Sequence, residues 1–152
     1  MRELYTEIDI KAPVERVFRI LTDLGRYELW NPFIVKAEGR VHPGEDLHVH
    51  IRPPGGREQP YVVRVLRVEK DREFRWLGHM LWRGILDGEH VFELATVSPD
   101  RTKLVHREEF RGILVPFVWR AFLDTKMREG FESLNRRLKI AAESMGEVET
   151  GY

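Results

Sequence analysis

The sequence lacks cysteine altogether, holds only three serines, carries no net charge and has no long apolar run. Each absence closes off a kind of chemistry. Without cysteine there is no disulfide, no thiolate zinc site and no cysteine nucleophile, which suits a reducing cytoplasm, the expected location. Serine stands only at 98, 133 and 144, and no Gly-x-Ser-x-Gly, P-loop or dinucleotide fingerprint occurs. A serine nucleophile and a bound nucleotide are therefore not expected, and no cofactor is expected either. Lys plus Arg balances Asp plus Glu at 25 each, so neither nucleic acid nor an anionic membrane is an expected partner. No stretch approaches the roughly 18 apolar residues of a membrane span, so no integral membrane association is expected. Met1-Arg2-Glu3-Leu4 turns charged and alternating at once, unlike a signal peptide.

What is present is organised around a C-terminal helix. Pro116 suits a first helical turn, where its missing N–H is not needed. Leu123, Met127, Phe131, Leu134, Leu138, Ala141 and Met145 then recur at spacings of four and three, one apolar face of a helix. From 116 to 145 it would run about 45 Å. Gly130 sits in its middle, where it costs about 1 kcal/mol relative to alanine; close packing against a strand is the expected reason. Residues 1–146 read as a single domain and 147–152 as a frayed tail.

Most of the chain before this helix reads as strands. Leu4, Thr6, Ile8 and Ile10 share one face of the first. Val14, Val17, Phe18 and Leu21 then follow at helical spacing, with a second short turn from Tyr27 to Trp30. Strands follow near 33–38, 47–51, 61–68, 74–78, 88–97 and 104–110, separated by short turn signals such as Pro43-Gly44 and Ser98-Pro99-Asp100-Arg101. Residues 79–86 are ambiguous. Short turns imply an antiparallel meander. Seven strands would make a sheet about 30 Å wide, and one helix is about 10–12 Å across. The sheet must curl around the helix, and a hollow between them would be a ligand pocket.

Particular residues carry a family resemblance. They are Ile8-Asp9-Ile10-Lys11-Ala12-Pro13, Val17-Phe18, Leu21-Thr22-Asp23 and Tyr27…Trp30-Asn31-Pro32 near the N-terminus. Toward the C-terminus they are Gly88-Glu89-His90-Val91-Phe92, Thr102 to Glu108, Phe110-Arg111-Gly112 and Gly130-Phe131…Leu134-Asn135…Leu138-Lys139…Glu143. Together these resemble the START-like, or SRPBCC, superfamily of polyketide cyclases and lipid-transport proteins, in a bacterial subgroup. The resemblance implies an α+β helix-grip fold: a curved antiparallel seven-stranded sheet wrapped around a long C-terminal helix, with two short helices after the first strand. Plant members carry a glycine-rich loop between the second and third strands. Here that place holds only Gly39 and Gly44, and Pro53-Pro54-Gly55-Gly56 falls one hairpin later, so that loop's recognition role is not carried over.

Within this frame His90, His106 and Glu108 draw attention. Alternation places them on the faces of Phe92, Leu94, Leu104 and Phe110, which look inward. Polar groups there cost free energy unless partnered. They either form a structural network, orient a ligand, or move protons. Trp76, Phe92, Phe110, Met127 and Phe131 are candidate cavity-lining residues beside an ordinary core role, as are Trp82, Trp119, Phe117 and Phe122. His48 and His50 alternate outward with only Glu45 and Asp46 nearby in sequence, so no metal site is expected.

Three functions follow as expectations. The first is binding, and by extension transport, of a small hydrophobic or lipid-like ligand, oriented by His90, His106 and Glu108. The second is a cyclase/dehydratase enzyme using His106 and Glu108 as an acid–base pair. The third is a protein-interaction module. A homodimer, through a sheet edge or the apolar segment 113–122, is a further alternative.

Overall fold

In a computed structural model the chain is described from residue 1 to 150, with side chains to Ser144. Met145 and the 147–152 tail of the sequence reading fall outside the side chains so described. Seven strands are present: β1 (Arg2–Ile10), β2 (Ile34–Glu38), β3 (Asp46–Ile51), β4 (Gln59–Glu69), β5 (Glu73–His79), β6 (Asp87–Ser98) and β7 (Arg101–Arg111). All pairings are antiparallel, in the order β1-β7-β6-β5-β4-β3-β2. The meander thus runs from β2 to β7, and β1 pairs with the last strand rather than the next one. Helices α1 (Val14–Thr22) and α2 (Tyr27–Trp30) fill the connection that this crossing requires. Residues 80–86 form no strand but a turn between β5 and β6. No helix among the described residues is long and apolar enough to cross a membrane.

The C-terminal helix is less uniform than its apolar spacing implies. It opens as α3 (Val115–Val118), widens into a π-helical segment over Trp119–Met127, and continues as α4 (Arg128–Thr150). Leu123, Met127, Phe131, Leu134 and Leu138 are buried as read from the sequence. Ala142, not Ala141, continues that face. The stripe also contains buried Asn135, at the i+4 position from Phe131. The convex face of the sheet is latticed with ion pairs, with Arg75 against Glu73 and Glu89, and Arg107 against Glu93 and Glu109. The concave face holds the core against the helix.

Gly130 is explained by close approach. A Cβ there would overlap the ring of Phe33. Phe33 is fixed just before β2, because Asn31 Oδ1 accepts the N–H groups of Phe33 and Ile34 at 3.1 and 2.9 Å, and its ring stacks edge-on against Phe131. Gly130→Ala is expected to lose up to about 2 kcal/mol net in urea unfolding, since overpacking costs about 1–3 kcal/mol against a helix-propensity gain of about 1 kcal/mol. Adding Phe33→Leu should restore part of the loss; simple additivity of the two changes would disprove the contact.

Candidate functional site

The register of the strands lays the concave face out in rows. One row runs Val65–Trp76–His90–Glu108–Leu4, and the next Phe74–Phe92–His106–Thr6. On the other side lies Val63–Gly78–Gly88–Phe110. The middle of this third row has no side chains, because two glycines pair across β5 and β6. A cavity of about 340 Å³ opens there, between the sheet, the π-helical segment and the Pro53-Pro54-Gly55-Gly56 loop. Its wall includes Tyr61, Val63, Trp76, Met80, Phe122 and Met127, and is mainly apolar. Arg57 and Lys126, both exposed, stand at its mouth. Gly88 has a second use: a Cβ there would overlap the Glu108 carboxyl.

His90 and Glu108 also line the cavity, and both are buried. Behind them lies a chain of polar groups whose proton positions can be deduced. The backbone carbonyl of His106 can only accept, so the Thr6 hydroxyl donates to it, at 2.6 Å. Thr6 Oγ1 then accepts from Asn135 Nδ2 at 2.9 Å. That turns Asn135 Oδ1 toward His106 Nδ1, 2.7 Å away, so Nδ1 carries the proton and donates. Burial holds the His106 imidazole neutral, its pKa lowered to about 3; its ring lies flat on Phe131, centroids 4.0 Å apart. His106 Nε2 is consequently an acceptor, and His90 Nε2–H donates to it at 2.7 Å. Burial, then the neighbouring His106, pushes the His90 pKa well down. A neutral His90 therefore presents a bare Nδ1 lone pair toward Glu108.

Glu108 Oε2 lies 3.7 Å from that nitrogen, too far for a hydrogen bond, and is buried without a partner. Burial raises the Glu108 pKa to about 8, so at neutral pH it is mainly the protonated acid. The cavity wall thus carries a carboxyl O–H donor and an imidazole acceptor side by side, with His106, Asn135 and Thr6 fixing the imidazole's tautomer from behind. Such a donor–acceptor pair is chemically able to grip or protonate an oxygen.

The model of the family "Polyketide cyclase / dehydrase and lipid transport" matches residues 1–139. The chain belongs to this family. No curated protein matches the sequence. Among solved structures, the Zhui aromatase/cyclase from Streptomyces sp. R1128 is similar at 18% identity and a TM-score of 0.76, covering 93% of each chain. A START superfamily protein from Mycobacterium smegmatis is similar at 19% identity and a TM-score of 0.73, covering 94% of this chain and 98% of that one. The di-domain ARO/CYC BexL is similar at 16% identity and a TM-score of 0.73, over 91% of this chain and 47% of that one. At these identities the likeness establishes the helix-grip fold.

On this polyketide cyclase/dehydrase and lipid-transport fold, the residues singled out by sequence divide into two groups. Trp76, His90, Glu108 and Met127 line the cavity. Phe92, His106, Phe110 and Phe131 lie fully buried in the core behind it. His106 and Glu108 are not directly paired; His90 stands between them, bonded to one and facing the other. Thr6, Asn135 and the Gly78–Gly88 pair escaped the sequence reading as site residues. The signals were present: a polar residue inside an apolar helix stripe, an inward threonine on β1, and glycine on the inward face of adjacent strands. Trp82 and Phe117 are exposed and far from lining any core. His50 pairs with Glu58 across the β3–β4 hairpin, Nδ1 to Oε2 2.9 Å, a carboxylate eight residues away that sequence proximity did not offer.

Proposed function

We propose that the protein binds a small hydrophobic ligand bearing a hydroxyl or carbonyl oxygen in the cavity between sheet and helix. The observation that supports this reading most is the cavity over the Gly78–Gly88 pair, with its single buried polar wall at Glu108 and His90. Apolar burial would supply most of the affinity, at about 25 cal/mol per Å² before ordering costs. The Glu108 O–H would donate to the ligand oxygen, and a ligand hydroxyl would donate in turn to His90 Nδ1. Native mass spectrometry of protein from its own host should reveal a retained small mass that leaves on denaturation. Gly78→Leu fills the void and should abolish that mass with the fold retained. Retention of the mass by this variant would place the ligand elsewhere.

A second reading is an enzyme of the cyclase/dehydratase class, and the elevated pKa of Glu108 favours it. A carboxylic acid kept protonated near neutral pH can protonate a carbonyl or a leaving hydroxyl. In this reading Glu108 is the acid, His90 receives or returns the proton, and His106 holds His90 in place. Glu108→Gln keeps the shape of the wall and removes the transferable proton. Binding without turnover in that variant is the expected sign of catalysis. Relatives named as aromatase/cyclases support the reading at the level of the fold.

A further inference from the structure

The end of the molecule beside the cavity mouth is unlike the rest of its surface. The 80–86 turn and the segment 112–123 are stitched together there: Ile113 N donates to Gly84 O at 3.2 Å, and Leu114 N to Ile85 O at 3.1 Å. Gly112 makes this approach feasible, with φ +130° and a Cβ position that would overlap the Ile85 carbonyl. From this knuckle Leu81, Trp82, Ile113 and Phe117 project, between 57% and 79% exposed. Large side chains that open to water, gathered at one end, mark an interaction surface.

Charge identifies the partner. The two segments contain no Asp or Glu, and Arg83 and Arg120 are their only charged residues. Both arginines are exposed, and neither joins an ion pair among the described residues. Arg75 and Arg107 on the convex face, by contrast, are held in ion pairs with glutamates. The flanking acids are occupied too: Asp87 accepts from Gly84 N and contacts His79, and Asp124 holds Arg128. The zero net charge of the whole chain conceals this local excess of positive charge. Tryptophan and phenylalanine beside unpaired arginines fit the interface of an anionic bilayer, where rings enter the headgroup–acyl boundary and guanidinium groups meet phosphates.

We propose that the knuckle of residues 80–86 and 112–120 docks the protein on anionic lipid surfaces. Met80 from the turn and Phe122 from the adjoining π-helical segment line the cavity, so docking sets the cavity mouth close to the lipid. The docking stands on the surface alone and does not depend on what the cavity holds.

Co-flotation of the full chain tests it, using vesicles of phosphatidylcholine alone and of equal parts phosphatidylcholine and phosphatidylglycerol. Binding to the mixed vesicles should exceed binding to the neutral ones and weaken with added salt. Trp82→Ser with Phe117→Ser should reduce binding at least about tenfold, and Arg83→Glu with Arg120→Glu by a similar factor. All four positions are exposed, so circular dichroism should confirm intact folds. No flotation with either vesicle, or binding indifferent to both double variants, would overturn the proposal. So would a dimer in sedimentation equilibrium that dissociates in Trp82→Ser/Phe117→Ser while vesicles bind nothing, which would assign the face to a second copy of the chain.

Discussion

Glu108→Gln should make the protein more stable at pH 8 by on the order of 4 kcal/mol and should flatten the alkaline side of its stability profile. The sign follows from where protons sit. Unfolded, Glu108 loses its proton near its ordinary value of 4.5; folded, burial keeps it until about pH 8. The contribution of Glu108 is therefore fully present below pH 4.5 and is lost as pH rises through that window, at about 1.4 kcal/mol per pH unit. His90 and His106 act in the opposite sense. Their folded pKa values lie below the ordinary 6.5, that of His106 at about 3, so their contribution is present above pH 6.5 and is lost as pH falls below it. Between 4.5 and 6.5 two histidines outweigh one glutamate, and stability rises with pH. Between 6.5 and 8 the glutamate acts alone, and stability falls. Urea unfolding across pH should thus peak near 6.5 in the wild type, and rise to a plateau in Glu108→Gln. A wild-type profile that is flat from 6.5 to 8 would show that Glu108 ionises normally. A gain of stability on removing this buried acid is what the proposed role of Glu108 in the cavity leads one to expect.

Asn135→Leu should cost about 3 kcal/mol and should also lower the pKa of Glu108, although the two residues do not touch. The stability loss comes from leaving His106 Nδ1 and Thr6 Oγ1 without their partner inside the core. The effect on Glu108 comes from the tautomer chain. Asn135 Oδ1 requires a proton on His106 Nδ1, which makes His106 Nε2 an acceptor and places the His90 proton on Nε2. Without that requirement the chain can reverse, so that His90 Nδ1–H points at Glu108 and favours its carboxylate. Nitrogen chemical shifts of the two imidazoles would report the tautomers directly. In the variant the fall in stability between pH 6.5 and 8 should shrink. A variant destabilised by the expected amount but with wild-type tautomers would reduce Asn135 to a packing role.

Much of this protein is legible in its sequence because much of it obeys local periodicity. The alternation of Leu4, Thr6, Ile8 and Ile10, and of Leu104, His106, Glu108 and Phe110, fixes which side chains look inward, since a strand has a period of two. The stripe from Leu123 to Leu138 fixes the face of the long helix. The mismatch between a seven-stranded sheet and one helix already implies curvature and a hollow. The inward placement of His90, His106 and Glu108 follows from the same alternation, as does the outward placement of His48 and His50.

What periodicity does not carry is register. Whether His106 or His90 meets Glu108 depends on how β6 and β7 are offset, and that offset sets His90 opposite Glu108 and Phe92 opposite His106. The same offsets bring Gly78 and Gly88 together and so decide where the hollow lies. Asn135 reaches Thr6 across 129 residues of sequence, a pairing of helix and strand that no local pattern contains. The π-helical widening over Trp119–Met127 is likewise invisible to the apolar spacing, which reads the same for either winding. Composition by itself determined that the chain is cysteine-free and charge-balanced, and periodicity that it is a run of strands closed by one long helix. Only the tertiary structure decided that exposed Trp82 and Phe117 gather beside Arg83 and Arg120, in two segments that contain no acid. Net charge is a sum over the chain, whereas recognition depends on which charges the fold leaves without partners.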